Sequence, residues 1–413
     1  MENVNLLEKW QKILDMPNCP KITDNYRRRT TAILLENTLK SISEKNASMQ
    51  MLTEAPPANV TGDVDRFDPV LIKLVRRTVP NLVAHDICGV QPMTLPTGLI
   101  FALRRRYATG TPLSGEPEAG YIEADTDYSG TGTHQPDNIT GTFGTGMNTA
   151  AGEGVVPAKM GFTIEKVSVT AKTRALQAEY SVELAQDLKN VHNLDAESEL
   201  IDILNIEITA EINREIVRTI YKIAEAGAQV GTSTPGTFDV DVDSDGRWSV
   251  EKFKGILYQI EREANAIAKR TRMGKGNFVI VSSDVASALA MAGKLDYAPA
   301  LSTDLEVDDT GNTFAGVLNN RIKVFIDPYF YSTSAEDILV VGYKGKSPYD
   351  AGLFYAPYVP LTLYKAQDPN TFQPKLMFKT RYGMVSNPLN GDGTVLAANS
   401  NKYYRRVLIK NIM

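Results

Sequence analysis

The run Pro80-Asn81-Leu82-Val83-Ala84-His85-Asp86-Ile87-Cys88-Gly89-Val90-Gln91-Pro92-Met93, continued by Pro96-Thr97-Gly98 and Phe101-Ala102-Leu103-Arg104, sets the architecture of this chain. An apolar stretch stops at a turn expected at Gly89 and Pro92. A second turn is expected at Pro96 to Gly98, and Leu99 to Leu103 leaves as a strand. The pattern is that of a scaffold element, with no catalytic logic.

Downstream, Gly110 to Gly161 holds 11 glycines in 52 residues together with many threonines, about three times the usual ~7% glycine. Strand-like runs flank it, Leu99 to Tyr107 before and Phe162 to Ala171 after, so the stretch reads as a long two-stranded excursion with a loose tip. A lone two-stranded ribbon is marginal in water and needs a surface to lie on; if a neighbouring subunit supplies it, oligomerisation is built into the fold.

Ser181 can cap a helix through His192, with Asn193 suited to a left-handed end, and Asp195 with Glu197 can open a second helix. Leu200, Leu204, Ile208, Ile212, Ile216 and Ile220 recur every fourth residue. At about 100° per residue such a stripe drifts roughly 40° per step and must find partners on changing sides. Gly227 is expected to close this helix.

Residues 228 to 365 read as an α/β unit, with helices over Phe253 to Ala268 and Asp284 to Ala292, and strands over Asn277 to Val281, Ile322 to Ile326 and Ile338 to Val341. The tail supplies two more strands, Lys375 to Met384 and Tyr403 to Ile409. Upstream, an amphipathic helix carrying Val70, Leu71, Leu74 and Val75 ends at Pro80. Residues 1 to 54 look separable, made of short helical pieces with few core formers. Between them, Glu54-Ala55-Pro56-Pro57-Ala58 forces an extended backbone open to a protease.

The chain of 413 residues carries 43% hydrophobic and 23% charged residues and a net charge of −5, ordinary for folded protein and without the positive field that tight duplex binding needs. Cys19 and Cys88 are its two cysteines and suggest a reducing compartment; neither a secretion signal nor a membrane span is read. Gly345-Lys346-Ser347 follows a strand as a phosphate-loop lysine would, but Val340 stands where glycine is required and Pro348 blocks the helix. Asp241 to Gly246 matches half a calcium loop, with Lys252 in place of the closing glutamate. His85, His134 and His192 lie far apart and outside any metal motif, and Cys88 has no basic neighbour in sequence. The runs at Arg27 to Arg29, Arg76-Arg77, Arg104 to Arg106 and Arg405-Arg406 read as inter-subunit or surface ion pairs. No catalytic residue, cofactor or metal site is expected.

The opening block resembles the major capsid protein family of T-even-type tailed phages. So do Arg174-Ala175-Leu176-Gln177-Ala178-Glu179-Tyr180-Ser181-Val182-Glu183-Leu184-Ala185-Gln186-Asp187-Leu188, Glu211-Ile212-Asn213-Arg214-Glu215-Ile216, Ser347-Pro348-Tyr349-Asp350-Ala351-Gly352 and Phe378-Lys379-Thr380-Arg381-Tyr382-Gly383. The resemblance implies an α+β Hong-Kong-97-type capsid fold. Its parts would be an N-terminal propeptide or scaffold-binding segment (1–54), an N-arm leading into a peripheral domain (55–94), an extended loop (95–178, tip 110–161), a spine helix (179–227), an axial domain (228–365) and peripheral C-terminal strands (366–413). T-even-type relatives carry a folded insertion in the extended loop, for which 110–161 looks too short.

The resemblance further implies a shell subunit that forms hexamers and encloses double-stranded DNA without binding it specifically. It would be assembled in the host cytoplasm and carried in the virion. Implied partners are copies of the chain itself, vertex, scaffold and portal proteins, a prohead protease, and possible decoration proteins and a chaperonin. The family's protease cuts after Leu or Ile, any residue, then Glu. Leu34-Leu35-Glu36, Ile42-Ser43-Glu44 and Leu52-Thr53-Glu54 fit, and the last is chosen because Ala55 is small and prolines follow, giving Leu52, Glu54 and Ala55 as the cleavage residues. The alternatives are the pentameric vertex protein of the same phages, which copy number per virion separates, and a soluble enzyme of unknown class.

Overall fold

The structure, a computed structural model, describes residues 2–15, 22, 24–50, 82–108, 116–119, 124–134, 144–154, 158–246, 248–293, 295–297, 313–330, 336–347, 349–368, 370–371, 373–388 and 396–412. The expected helix at Val70 to Val75, Cys19, Arg76-Arg77 and the cleavage residues Leu52, Glu54 and Ala55 lie outside these.

In chain order the strands are β1 (Gly89–Val90), β2 (Thr97–Ala108), β3 (Lys159–Thr170), β4 (Lys172–Glu179), β5 (Ala224–Ala226), β6 (Thr237–Asp239), β7 (Phe278–Ser282), β8 (Leu295–Tyr297), β9 (Thr313–Leu318), β10 (Ile322–Asp327), β11 (Glu336–Gly342), β12 (Leu353–Gln367), β13 (Pro374–Ser386) and β14 (Asn401–Lys410). Among the described residues they form an eight-stranded sheet ordered β5-β14-β11-β7-β10-β9-β8, with β6 beside β14. A four-stranded sheet is ordered β1-β12-β13-β4, and β2 and β3 form a separate ribbon.

The centre of the large sheet is apolar at every position because both its faces are covered. Phe278 and Ile280 on β7, with Ile338 and Val340 on β11, join the core that also holds the long helix Ala196–Ile223. The alternate residues Val279, Val281, Leu339 and Val341 pack on the opposite face, under the helices Ser249–Thr271 and Ser283–Met291. The period of two thus divides each strand between two cores.

The long helix behaves as its drifting stripe requires. Leu204, Ile208, Ile212, Ile216 and Ile220 are all buried, in one cluster with residues of both large sheets. Ser181 accepts a hydrogen bond from the Leu184 N–H at the start of Val182–His192, and Asn193 ends that helix with φ of 54°. The following helix stops at Ile223, not at Gly227: Ala224 to Ala226 leave as β5 beside β14, a pairing that competes with further helical turns. Gly227 has a different role, since a Cβ there would sit 2.6 Å from Val407.

Three further expectations change. Gly89 is a strand residue, paired in parallel with Phe354, because the short helix Ala84–Ile87 has already redirected the chain. Residues 353 to 367 leave the large sheet for the small one, and the tail strand β14 returns to the large one between β5 and β11, so the break at 365 is not a sheet boundary.

The N-terminal segment is not a set of short pieces. Helices Glu2–Leu14 and Asn25–Gln50 enclose a core of Trp10, Leu14, Ile22, Ala32, Leu34 and Leu35. The second helix docks on the body. Asn37 donates to the Met93 and Tyr358 carbonyls at 2.7 and 2.8 Å, Arg27 pairs with Asp86 at 2.8 Å, and the Tyr26 hydroxyl donates to the Val90 carbonyl. Its buried threonines Thr30, Thr31 and Thr38 donate to carbonyls one turn back, which satisfies polar groups that read as loop formers.

Candidate assembly surface

β2 and β3 pair from Thr97↔Thr170 to Ala108↔Lys159, twelve residues on each side. The ribbon's root is anchored: Ile100, Val167 and Val169 enter a small core with Met93, Phe354, Ala356 and Val385. It crosses β13 at Gly383, where a Cβ would lie 2.5 Å from Val169 and 2.8 Å from the Thr170 carbonyl, so only glycine allows the approach. Arg104 and Arg106 on the inner face pair with Glu165 at 3.1 and 3.0 Å.

The outer face is open and carries six large apolar side chains, with Arg105, Lys166 and Ser168 exposed among them. Leu99, Phe101 and Leu103 on β2 and Met160, Phe162 and Ile164 on β3 are between 54% and 65% exposed. Leu103 and Ile164 are a cross-strand pair, and the others alternate around them on the same side of the pleat. The tip holds more order than a loose loop. Tyr107 stacks on Tyr128 with centroids 4.2 Å apart, Ala119 donates to the Arg105 carbonyl at 2.8 Å, and Asp125 caps the turn Thr126–Tyr128.

At the ribbon's foot, three of the quoted motifs converge on one polar node. Arg174 on β4 spans Glu211 at 2.7 Å and Glu215 at 2.5 Å on the long helix, and its Nε donates to the Tyr382 hydroxyl at 2.9 Å. Partial burial opposes the Arg174 charge, but the bonds to Glu215, Tyr382 and Glu211 outweigh it and hold the guanidinium more firmly protonated than usual. Burial, then the bond to Glu215, pushes the Tyr382 phenol up. One turn on, Arg214 grips the buried Asp327, which also accepts from the Tyr221 hydroxyl at 2.8 Å. The node is invisible as a motif because its members lie on three elements; the sequence showed the ribbon's two strands but not which of their faces is open.

The other candidate residues have structural settings. The Asp241 to Asp245 stretch is a largely exposed turn whose acids are used within the chain: Asp243 accepts from the Ser233 and Asp239 N–H groups, and Lys252 pairs with Asp241. Gly345 donates to the Asp350 carbonyl in a tight turn. Burial pushes the Cys88 thiol up to about 12 and pulls the His85 imidazole down to about 3, so both stay neutral. His134 sits at the tip beside Thr126, and His192 is exposed at a helix end. The arginine runs pair largely within the chain: Arg28 with Asp15, Arg104 and Arg106 with Glu165, and Arg405 with the buried Glu263. No group of three metal-binding side chains gathers among the described residues, and no helix there is long and apolar enough to cross a membrane.

The model of the family described as "Major capsid protein Gp23" matches residues 64–409. The chain belongs to this family. The Gp23-family major capsid protein of Salmonella phage ViI is 39% identical over 95% of this chain and 99% of its own length, and that of Enterobacteria phage T4 is 35% identical over 98% of both. The T4 alignment runs over 518 positions, more than the 413 residues here, as expected of a relative with additional segments. The T4 capsid vertex protein matches more weakly, 27% identical over 55% of this chain, which favours the major subunit over the vertex alternative. Among solved structures, the capsid of Myoviridae phage XM1 overlays with a TM-score of 0.40, 11% identical, over 87% of this chain and 97% of that one. As a Gp23-family protein, built of both helices and sheets, the chain is a structural subunit of a tailed-phage head. It assembles into the capsid lattice with copies of itself and resides in the virion shell.

Proposed function

We propose that the subunits close into head-to-tail hexamers in which each ribbon lies across the next subunit, and that these tile an icosahedral or elongated head around double-stranded DNA. The observation that carries this is the open apolar face of β2 and β3. Burying a Leu, Ile, Met or Phe side chain contributes about 1.5–3 kcal/mol, so six that are already partly covered come to roughly 5–10 kcal/mol. Association itself costs on the order of 4–15 kcal/mol. One ribbon therefore makes a near-break-even contact. An open chain of six subunits makes five such contacts and a closed ring six, so closure adds a contact without a further association cost and the ring assembles cooperatively. Negative-stain microscopy of the purified full-length chain tests this: six-fold rings or curved lattices support it, and monomers at every concentration overturn it.

In this reading 1–54 is a scaffold-engaging segment, 55–94 the N-arm, 95–178 the extended loop, 179–227 the spine, 228–365 the axial domain and 366–413 the peripheral strands. The segment 1–54 is removed by a prohead protease after Glu54, with Leu52 and Ala55 completing the recognised stretch. Both other sites that fit the pattern sit within the helix Asn25–Gln50, and Leu34 and Leu35 are buried there, whereas a protease needs extended, accessible backbone. Intact mass of the subunit from mature virions decides the cut: a mass starting at Ala55 is expected, and one retaining Met1 sinks it. Scaffold, portal and vertex proteins are the further partners, with decoration proteins and a chaperonin possible additions. The shell encloses DNA without a dedicated site, in keeping with the net charge of −5, and the chain works as architecture, not as an enzyme.

A further inference from the structure

The exposed edge of the helix Ala196–Ile223 is divided by charge. Its first half presents Glu199, Asp202 and Glu207, with Ile203 and Ile206 exposed between them. Its second half presents Arg214, Arg218 and Lys222 at successive i, i+4 positions, beside Glu211 and Glu215, whose charges Arg174 engages. Arg214 is engaged by Asp327, but no carboxylate of the described residues lies within ion-pair distance of Arg218 or Lys222. Together with Thr219 and the ion-paired Arg174, Glu211 and Glu215, these three line an open groove of about 410 Å³, in which Arg218 and Lys222 are the charges left unbalanced. It shares Arg174, Glu215 and Lys222 with a larger concavity of about 750 Å³, on whose wall Lys172 stands exposed.

Like charges at i, i+4 destabilise a helix unless something offsets them. The helix dipole accounts for Glu199 in the first turn and Lys222 in the last, but its influence fades within one turn and leaves Asp202, Glu207 and Arg218 unexplained. Exposed isoleucines beside the acids indicate a surface made to be covered by protein. A polyanion would have no use for Ile203 and Ile206.

We propose that the basic groove at Arg218 and Lys222 receives the acidic, isoleucine-bearing first half of the same helix from a second copy of the chain. Asp202 and Arg218 are sixteen residues apart, roughly 24 Å along the helix at 1.5 Å per residue. The two patches therefore do not meet within one subunit, and they suit a head-to-tail contact. The proposal rests on the assembly reading above and adds a site to it: the ribbon supplies apolar area, and the divided helix supplies direction and register.

Charge reversal in trans tests it. Arg218→Glu with Lys222→Glu in one chain, and Glu199→Lys with Asp202→Lys in another, should each raise the concentration for half-association about tenfold or more by sedimentation velocity. Mixed in equal amounts they should associate again, because each reversed patch now meets its complement. The recovered rings should hold even numbers of subunits, since only even rings alternate. Circular dichroism and melting show whether each variant is folded, and Arg218→Gln with Lys222→Gln serves if the reversed chain is not. Reversed chains that assemble like the unaltered one, or folded chains that fail to recover on mixing, overturn the proposal and leave the ribbon contact standing. An unaltered chain that never associates overturns the assembly reading and this inference with it. Loss of binding to a short DNA duplex in Arg218→Glu with Lys222→Glu, with assembly intact, overturns it in favour of a phosphate-binding groove.

Discussion

Arg174 shows how much one side chain joins: β4, the long helix and β13 all meet on its guanidinium. Removing it as Arg174→Leu leaves Glu211 and Glu215 facing each other one turn apart. For a pair about a third exposed, a loss of about 1–3 kcal/mol follows, less than the 3–5 of a fully buried pair. A lowered denaturant midpoint checks it. Arg174→Lys should recover only part, since an ammonium cannot span both carboxylates and the phenol at once. His85 gives a pH dependence. Burial, reinforced by Arg27 and Lys344, holds its folded value near 3, against an ordinary 6.5. The unfolded chain takes up a proton near 6.5 while the folded one refuses it until about 3. Stability is therefore full above 6.5 and declines as pH falls through that window, by up to about 1.4 kcal/mol per unit. Melting temperatures of His85→Gln against the unaltered chain from pH 7 to 4 should show a shallower acid limb in the variant.

At the scale of elements, the ribbon and the long helix were both legible, because each declares a period. Leu99, Phe101 and Leu103 alternate at two, and Leu204 to Ile220 recur at four. Period says which residues share a face, not which face meets solvent. The root of the ribbon is buried because Gly383 lets β13 pass beneath it, whereas the outer face past the root is exposed, with nothing over it among the described residues. Phe101→Ser with Phe162→Ser should therefore leave monomer stability within about 0.5 kcal/mol and abolish association. Paired melting and sedimentation measurements separate the two effects; a variant that unfolds would place these rings in a core instead.

Across the whole molecule, the N-terminal helices hold the body at a weak point. Register slips near Pro357 and Val359 interrupt the β12 ladder, and Asn37 caps the nearby Tyr358 carbonyl together with that of Met93. Asn37→Ala should cost about 1–3 kcal/mol as two carbonyls lose their donor, and limited proteolysis should nick residues 2–50 faster than in the unaltered chain. Cutting the chain between this segment and the body, as proposed after Glu54, would put the same bonds under dissociation control and couple processing to rearrangement.

The residues alone determined a mix of helices and strands, the ribbon, the capped helix from Ser181 to Asn193 and the drifting stripe, since each rests on local geometry and short-range periodicity. Tertiary structure decided that β14 returns to the large sheet between β5 and β11, that Gly89 pairs instead of turning, and that the first fifty residues carry a core of their own. It also brought Arg174, Glu211 and Tyr382 to one point. These are pairings between residues tens to hundreds of positions apart. They are chosen by which surfaces can be buried together once the chain has collapsed, and no local pattern in the chain records that choice.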